Sequence, residues 1–415
     1  MKILLSAYAC EPGKGSEPGI GWHWAVEIAR LGHQVHVVTR ANNARAVEEG
    51  LTTLRGLQII IHGYDLPKWA RWWKKGSRGV RLYYLLWQWG AYRYARRLHA
   101  SVQFDLVHHI TFGVFRQPSF MGRLGIPFVF GPIGGGEYAP PALLRSLPWR
   151  ARIAERMRAA ANRIASFDPL VQSTFRRATL ICCNTPETME RVPAKYSDKT
   201  ICVHDVAVDA ERVAQSCASA QSPRFLFVGR LLYWKGIQFA LRALALVRRE
   251  LPDARLAIVG DGQDRAWLQS IAHELALDDA VDWPGWLPRH QVLDLYATQT
   301  AFVFPSLHDS GGTVVMESMA QGLPVVCLDL GGPGAILPDD CGIKIHARDC
   351  TEDQVVHALA DAMKKLATDS ALRNELAANS LKAARELTWS TLVGHAYAEI
   401  EKKRALAANR QLVVR

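Results

Sequence analysis

Residues 305–326 of this 415-residue chain have the sequence PSLHDSGGTVVMESMAQGLPVV, and they directly follow the apolar run 301–304. The apolar run predicts a buried strand, residues 305–312 predict a turn, and the residues that follow predict a helix. Asp309 and Glu317 lie eight positions apart, on either side of the turn's end. This order of strand, polar turn and helix places two carboxylates at one end of a sheet.

The glycine pair of this stretch favours a phosphate ligand. Gly311 and Gly312 allow the backbone to approach a phosphate closely, and the N–H groups at a helix start attract negative charge. Glu317, about one turn into the helix, can accept hydrogen bonds from the paired hydroxyls of a ribose. The stretch therefore predicts a nucleotide-sugar site. The alternative is a buried strand, a turn and a packing helix without a ligand.

Strands and helices alternate along the whole chain, which predicts an α/β fold. The strands are continuous apolar runs, as in parallel sheets that are covered on both faces. We therefore expect two doubly wound, Rossmann-like domains that face a central cleft. The predicted strands are 2–9, 34–39, 58–62, 106–110, 127–130, 179–184 and 200–204 in the first domain, and 224–228, 254–259, 281–283, 301–304 and 324–328 in the second.

The pattern divides the chain into three segments. Residues 1–205 are expected to form an N-terminal domain, and residues 206–388 a C-terminal domain. A linker rich in Ser, Ala and Gln, residues 215–223, lies near the start of the second domain. Residues 389–415 are expected to form a helix that packs back toward the N-terminal domain. Ligands of such sheets bind outside the carboxyl ends of the strands.

A cationic pair follows the first strand of the second domain. The strand ends at Gly229, Arg230 comes next, and Lys235 opens the following helix. Cations are poorly placed near a helix N-terminus, so this pair indicates that an anion binds there. Arginine offers a planar fork and lysine a point charge, which suits a diphosphate. Gly260 belongs to a similar turn after the next strand, which is a weaker signal.

These motifs resemble those of the retaining glycosyltransferase family 4. VGRLLYWKG (228–236), VGDGQD (259–264), WPGWLP (283–288) and the stretch 305–326 occur in the order and spacing of that family. The resemblance covers nearly the whole chain and is most specific in residues 224–340. It implies the GT-B fold, with an acceptor-side domain in residues 1–205 and a donor-binding domain in residues 206–388.

The resemblance also implies roles for individual residues. Arg230 and Lys235 would hold the donor diphosphate, Glu317 would bind the donor ribose, and Asp309 would face the hydroxyls of the donor sugar. Backbone groups would complete the donor site, at Gly229, Gly260, Gly311, Gly312 and Thr313, while Gly285 and Trp286 would border the base. The chain departs from the family at Asp309, where the family usually has Glu, and in having Ser-Gly-Gly after it. Asp309 is one methylene shorter than Glu, so this departure concerns which donor sugar binds rather than which reaction is catalysed.

The N-terminal domain supplies further candidates. Gly15 and Ser16 lie where the family has paired glycines, so they are expected on the donor side. His109, at the end of a strand, is expected to face the donor sugar as a catalytic residue, with His108 as the alternative, because neighbouring strand residues point in opposite directions. A purely structural role for both histidines is the remaining option. The glycine-rich loop 131–138 places Gly135 and Glu137 on the acceptor side, or forms a simple turn. Dinucleotide and P-loop fingerprints are absent from the sequence.

The charge is unevenly distributed. The net charge is +11, and residues 66–104 hold nine Lys and Arg with no acid, interleaved with Trp and Tyr. Such a segment favours an anionic membrane surface. A solvated helix face that packs its aromatics inward is the alternative, and nucleic acid is a third option that we do not expect. A second basic run, residues 145–163, has a single acid, Glu155.

The remaining composition is typical of a soluble cytoplasmic enzyme. No apolar run is long enough to span a bilayer, and the N-terminus predicts a buried strand rather than a signal peptide. The eight cysteines are scattered, without metal-binding spacing, as expected for thiols in a reducing cytosol. We expect the protein in the cytoplasm or at the inner face of the cytoplasmic membrane.

The family resemblance thus implies a retaining hexosyltransferase that uses a UDP- or GDP-linked sugar and no metal. The acceptor would be a glycan or a lipid-linked glycan, in bacterial exopolysaccharide or surface polysaccharide synthesis. Two alternatives remain open. One is an inactive nucleotide-sugar-binding subunit, and the other is a non-hydrolysing nucleotide-sugar epimerase, for which Glu11 and Glu17 are the only early acid candidates.

Overall fold

A computed structural model describes residues 1–73, 79–215 and 223–413, with side chains described up to residue 405. The chain forms two compact units. Unit 1 contains residues 1–136, 160–205 and the C-terminal segment from 389, and unit 2 contains residues 137–159 and 206–388. Cys217 and most of the predicted linker lie outside the described residues.

Unit 1 is built on a seven-stranded parallel sheet. Its strands are β1 (Lys2–Ser6), β2 (Gln34–Arg40), β3 (Ile59–Tyr64), β4 (Leu106–His109), β5 (Phe128–Ile133), β6 (Leu180–Cys183) and β7 (Thr200–Cys202). The strand order is β3-β2-β1-β4-β5-β6-β7, and every pair is parallel. Helices that alternate with these strands are α1 (Ser16–Arg30), α2 (Ala41–Leu51), α3 (Lys68–Arg71), α4 (Val80–Val102), α5 (Trp149–Ala165), α6 (Pro169–Arg177) and α7 (Pro186–Met189), of which α5 begins in residues assigned to unit 2.

Unit 2 is built on a six-stranded parallel sheet. Its strands are β8 (Arg224–Val228), β9 (Arg255–Val259), β10 (Val281–Gly285), β11 (Ala301–Phe304), β12 (Val325–Leu328) and β13 (Gly342–Ile345). Their order is β10-β9-β8-β11-β12-β13. The helices are α8 (Ile237–Val247), α9 (Arg265–Glu274), α10 (Arg289–Tyr296), α11 (Thr313–Ala320), α12 (Gly331–Ile336), α13 (Glu352–Thr368) and α14 (Ser370–Glu386).

The central strands are apolar because both faces of each sheet are covered. All four residues of β11 are fully buried, and in β8 the residues Phe225, Leu226 and Phe227 are fully buried. Such strands show no polar alternation, which is the pattern the sequence analysis used. The order of each sheet reverses once, between β1 and β4 in unit 1 and between β8 and β11 in unit 2. The crevice outside the carboxyl ends at that reversal is where α/β sheets bind ligands.

One predicted domain boundary needs correction, since residues 137–159 belong to unit 2. The carboxylate of Glu352 accepts a hydrogen bond from the backbone N–H of Ser146 at 2.8 Å, and Leu147 and Ala151 pack with Tyr233. These contacts attach the segment to unit 2, although it follows β5 of unit 1 in the chain. The other divisions, after residues 205 and 388, fall at the predicted positions.

The last helix, α15 (Trp389–Val413), groups with unit 1. The ring of Trp389 stacks on His23 of α1, with centroids 4.5 Å apart. Tyr397 lies fully inside unit 1 and contacts His108. Within the described residues, no helix combines the length and apolar character needed to cross a membrane.

Candidate nucleotide-sugar site

The loops that carry the two main motifs lie side by side in unit 2. The loop after β8 contains Arg230 and Lys235, and the loop after β11 contains Asp309. Since β8 and β11 are adjacent and parallel, both loops leave the same edge of the sheet, at its reversal point. This is the position where a doubly wound sheet binds nucleotides.

Lys235 and Asp309 form an ion pair across these two loops. The ammonium group of Lys235 donates to Oδ2 of Asp309, and it also lies 5.0 Å from the centroid of the Phe304 ring. Both side chains are largely but not fully buried, with 15% and 23% of their surface exposed. An ammonium group has three donors, so Lys235 can hold Asp309 and still offer a hydrogen bond to an anion.

Arg230 lies at the carboxyl end of β8 and is exposed. In the part of the chain that the structure describes, no carboxylate lies within salt-bridge distance of its guanidinium group, whereas Lys235 nearby is paired. A guanidinium group of this kind can form two parallel hydrogen bonds with a phosphate. The structure thus places the predicted diphosphate pair on one loop, with Arg230 available to an anion.

The turn before α11 is shaped for a close backbone approach. Gly312 caps the helix with φ +118°, a conformation that favours glycine, and no side chain caps the N-terminus. The first intrahelical donors are the N–H groups of Val315 and Met316, which bond to the carbonyl of Gly312. The N–H groups of the first two helical residues, Thr313 and Val314, have no intrahelical acceptor and can bind an anion.

Glu317 lies on α11 and pairs with an arginine that the sequence analysis did not select. Nη2 of Arg289, the first residue of α10, is 2.7 Å from Oε1 of Glu317. Burial raises the pKa of Glu317, and the guanidinium of Arg289 opposes that shift. The Arg289 side chain is 42% exposed and that of Glu317 20% exposed. A basic residue that opens a helix just after the WPGWLP motif could have indicated this pairing.

Three glycines predicted for the donor site meet at neighbouring strand ends. The N–H of Gly229 donates to Val259, and the N–H of Gly260 donates to the carbonyl of Gly285 at 2.8 Å. A side chain on Gly260 would place its Cβ 2.0 Å from the carbonyl oxygen of Gly229, so glycine is required for this close approach. Trp286, beside them, is 75% exposed. Its role at the base stays a prediction.

A buried hydrogen-bonded cluster supports both loops. Oε1 of Glu155 accepts hydrogen bonds from the hydroxyl of Tyr233 at 2.9 Å and from Nε2 of His308 at 2.8 Å. Burial raises the pKa of Glu155, but His308, Tyr233 and Arg158 outweigh it and leave that pKa lowered. Glu155 is therefore a carboxylate inside unit 2, and the sequence analysis saw it only as the one acid of a basic run.

The two histidines of β4 lie on opposite faces of the unit 1 sheet, and helices cover both. Nε2 of His108 donates to the carbonyl of Gly131 at 2.6 Å, and its Nδ1 contacts the Tyr397 hydroxyl. Nε2 of His109 bonds to the Tyr84 hydroxyl at 3.1 Å. Burial lowers the pKa of His108 to about 4 and that of His109 to about 3. Both rings are buried in this conformation, so His109 has no surface open to a sugar. The contact of His109 with a donor sugar stays a prediction.

The first loop of unit 1 adopts the conformation that the family glycines allow. Ser16 has φ +57°, in the left-handed region, and Gly15 precedes it as the helix cap. The neighbouring Glu17 accepts a hydrogen bond from the backbone N–H of Phe112 at 2.8 Å. Burial raises the pKa of Glu17. The start of α1 therefore contacts the loop after β4, and a donor-side role for Gly15 and Ser16 stays a prediction.

The acceptor-side candidates lie in structured surroundings. The carbonyl of Gly135 accepts hydrogen bonds from Arg116 at 2.9 Å and from the Asn162 amide at 3.2 Å. Glu137 is 2% exposed, and its carboxylate is 3.8 Å from Nη2 of Arg158. These contacts hold both residues in place, and an acceptor role for either residue remains a prediction.

The basic and aromatic segment 66–104 divides into two kinds of aromatic residue. Trp69 and Trp72 are 78% and 76% exposed, whereas Tyr84 and Trp87 on α4 are buried in the core of unit 1. The basic residues Lys74, Lys75 and Arg78 lie outside the described residues. The segment therefore combines an inward-packed helix face with exposed tryptophans.

Several solved structures share this fold. HepE of Anabaena, in complex with UDP-glucose, aligns with a TM-score of 0.63 and 16% identity over 97% of this chain and 100% of its own. The apo form of the lipopolysaccharide outer core galactosyltransferase WaaB aligns with a TM-score of 0.64 and 12% identity, over 97% and 100% of the two chains. Together with the two parallel sheets, these likenesses define the GT-B fold.

The sequence comparisons match the second unit to a family. Residues 210–383 match the sequence model of the glycosyl transferases group 1. The lipopolysaccharide core biosynthesis glycosyltransferase LpsE of Rhizobium meliloti is 30% identical over 215 residues, which is 50% of this chain and 60% of LpsE. The D-inositol 3-phosphate glycosyltransferase of Stackebrandtia nassauensis is 32% identical over 44% of this chain and 43% of its own length. These matches thus span less than two thirds of the relatives' own length.

Proposed function

We propose that this protein is a retaining glycosyltransferase that moves a hexose from a nucleotide-sugar to a glycan or lipid-linked acceptor. The observation that carries the proposal is the meeting of the loops after β8 and β11. It combines an exposed Arg230, the Lys235–Asp309 pair and the uncapped start of α11 at the reversal point of the sheet. The match of residues 210–383 to the glycosyl transferases group 1 supports it.

The proposed chemistry breaks the bond between the sugar carbon and the leaving phosphate oxygen. Negative charge develops on the nucleoside diphosphate, and Arg230 and Lys235 would neutralise it, which is the largest single contribution assigned to this site. Glu317 would accept hydrogen bonds from the ribose and Asp309 from the sugar, while Trp286 would border the base. Front-face attack, in which the leaving phosphate takes the acceptor proton, would retain the anomeric configuration, as the family resemblance implies.

The donor is proposed to be UDP- or GDP-linked, with no metal ion required. HepE was solved with UDP-glucose, which supports a uridine nucleotide. The family resemblance supports metal independence, and we expect turnover to stay unchanged when EDTA removes divalent cations. A loss of turnover that Mg²⁺ or Mn²⁺ restores would contradict this part of the proposal.

The setting is proposed to be bacterial surface polysaccharide synthesis, at the cytoplasmic face of the membrane. The likeness to LpsE supports the pathway class. The exposed Trp69 and Trp72, within the basic segment 66–104, support contact with anionic headgroups. We expect the protein to sediment with vesicles that contain anionic lipid and not with purely zwitterionic vesicles. The double variant Trp69→Ser/Trp72→Ser should sediment less, and equal sedimentation would contradict the contact.

A thermal-shift screen against UDP, GDP and their sugars tests the donor site first. A ligand that binds only the folded protein raises its stability in proportion to RT ln(1 + [L]/Kd), so the correct nucleotide should give a clear shift. The screen is followed by turnover with candidate acceptors. Binding without turnover against any acceptor would favour an inactive binding subunit, and interconversion of the free nucleotide-sugar would favour an epimerase. No shift with any nucleotide would contradict the proposal.

A further inference from the structure

Glu155 is the only acid among the six arginines of residues 145–163, and it is buried whereas all of these arginines except Arg158 are exposed. It is 7% exposed, and its side chain points into unit 2. A buried carboxylate is stable only when hydrogen bonds and charges compensate its loss of hydration. One oxygen of Glu155 has two donors here, the Tyr233 hydroxyl and Nε2 of His308.

The two donors belong to the two loops of the candidate site. Tyr233 begins the short 3-10 turn Tyr233–Lys235, so it lies two residues before Lys235. His308 lies directly before Asp309 in the loop after β11. A single atom, Oε1 of Glu155, therefore bridges the loop that carries the proposed phosphate ligand and the loop that carries the proposed sugar ligand.

Trp234 adds a second connection at the same place. Its carbonyl accepts hydrogen bonds from the backbone N–H of Leu307 at 2.8 Å and from the Ser306 hydroxyl at 3.2 Å. Its ring stacks on the ring of His308, with centroids 5.6 Å apart and planes 17° from parallel. The two hydrogen bonds to the Trp234 carbonyl fix the start of the loop after β11. Stacking on the Trp234 ring fixes the orientation of the His308 ring. Glu155 then bonds to the end of that oriented ring.

We propose that Glu155 is a positioning residue, which sets the separation of Lys235 and Asp309 by holding the loops after β8 and β11 together. The carboxylate bonds to Tyr233 and His308, and it acts on Lys235 and Asp309 through these two residues. This role deepens the function proposed above and rests on it for its catalytic meaning, but the restraint on the loops is testable without any ligand.

The first measurement is hydrogen–deuterium exchange of the full-length, ligand-free protein. In Glu155→Ala, the backbone amides of residues 231–236 and of residues 306–312 should both exchange about tenfold faster or more, because local opening becomes easier. Glu155→Gln retains an oxygen that accepts both hydrogen bonds, so it should keep exchange close to the wild-type rate. His308→Ala should loosen the second segment more than the first, and Tyr233→Phe the first more than the second.

Glu352→Ala is the matched control. Glu352 is also a buried acid of unit 2, and it anchors the same segment 137–159 through Ser146, without touching either loop. It should lower the melting temperature without speeding exchange in the two loop segments. Equal exchange in both loops for Glu155→Ala and Glu352→Ala would overturn the proposal, because the effect would then be general loosening.

The second measurement is binding of UDP and GDP by calorimetry to the same variants. Misplacing Lys235 by about 1 Å should weaken the better-bound nucleotide on the order of tenfold or more in Glu155→Ala, and Glu155→Gln should restore most of the affinity. Wild-type protein that binds neither nucleotide would contradict the proposed function and leave the exchange result to decide the role of Glu155. Tight binding in Glu155→Ala, together with unchanged loop exchange, would overturn the positioning role alone.

Discussion

The carboxyl ends of the two sheets carry similar sequence signals but use them differently. In unit 1 the polar residues His108 and His109 are the last residues of β4, and both rings are buried in hydrogen bonds within the unit. In unit 2 the polar residues lie beyond the strands, in loops, where Arg230 is exposed and Lys235 meets Asp309. A side chain inside a central strand is covered by the helices on each face, whereas a loop residue can reach a ligand.

The comparison predicts the largest effect for the cations of unit 2. Arg230→Ala should lower turnover of the nucleotide-sugar about 100-fold or more, because it removes a donor from the charge that develops on the leaving phosphate. Arg255→Ala is the matched control. Arg255 lies at the opposite end of its strand and pairs with Asp282 on the surface, so its loss should change steady-state turnover less than twofold.

Glu317 should make donor binding sensitive to mild acid. Burial raises its pKa, so its carboxylate is protonated at a higher pH than that of a free glutamate. As the pH falls from 7 toward that raised pKa, the carboxylate loses its charge and accepts ribose hydrogen bonds less well. We expect the affinity for an intact nucleotide-sugar to fall as the pH decreases. At pH 7, Glu317→Gln should bind the nucleotide-sugar about tenfold more weakly than the wild-type protein. Calorimetry from pH 7.5 to 5 should show a flat profile for Glu317→Gln, and equal slopes for the two proteins would contradict the role.

The buried histidines should make unit 1 acid-labile. Their pKa values in the folded chain are lowered to about 4 for His108 and about 3 for His109. In the unfolded chain each has a pKa near 6.5, so the unfolded state binds more protons as the pH falls below that value, and stability decreases. Between pH 7 and pH 5.5 each histidine should remove about 1 kcal/mol of folding free energy. Denaturant unfolding should show this loss, and His109→Gln should reduce it by about 1 kcal/mol. Proton NMR that shows either ring titrating between pH 5 and 8 would contradict the assignment.

The smallest predicted effect concerns the first loop of unit 1. Ser16 has φ +57°, and a side chain there costs about 1 kcal/mol that glycine avoids, partly offset by the greater freedom of glycine in the unfolded chain. Ser16→Gly should therefore stabilise unit 1 by about 0.5 kcal/mol. Ser16→Ala keeps the Cβ and should give no gain in thermal unfolding. A gain from Ser16→Ala equal to that from Ser16→Gly would show that backbone strain is not the cause.

Much of the architecture could be predicted because it depends on local patterns. The strands β8 and β11 have the predicted bounds, since continuous apolar runs end at clear glycine, proline or polar signals. The strand β13 and the helix α13 were not predicted. The strand GIKI has only two apolar side chains. The helical spacing of apolar residues in 352–368 was a weaker signal of secondary structure than the motifs around it.

The donor half of the site could be predicted in part, because its residues lie in short motifs. The structure brings Lys235 to Asp309 and the three strand-end glycines together, as their positions after parallel strands require. Arg289 and Glu155 could not be found in this way. Their partners, Glu317 and His308, are distant in sequence, and the attachment of residues 137–159 to unit 2 depends on tertiary contacts. Burial of His109 likewise depends on helix α4 covering the sheet.

The most direct test of the central claim is the release of nucleoside diphosphate from the nucleotide-sugar that shifts the melting temperature most, measured with acceptor present. The account predicts acceptor-dependent release by the wild-type protein, a product with the donor's anomeric configuration by NMR, and loss of release in Arg230→Ala and Glu317→Ala, while Arg255→Ala stays active. Release that continues unchanged in Arg230→Ala and Glu317→Ala would contradict a sugar-transfer site at the ends of β8 and β11.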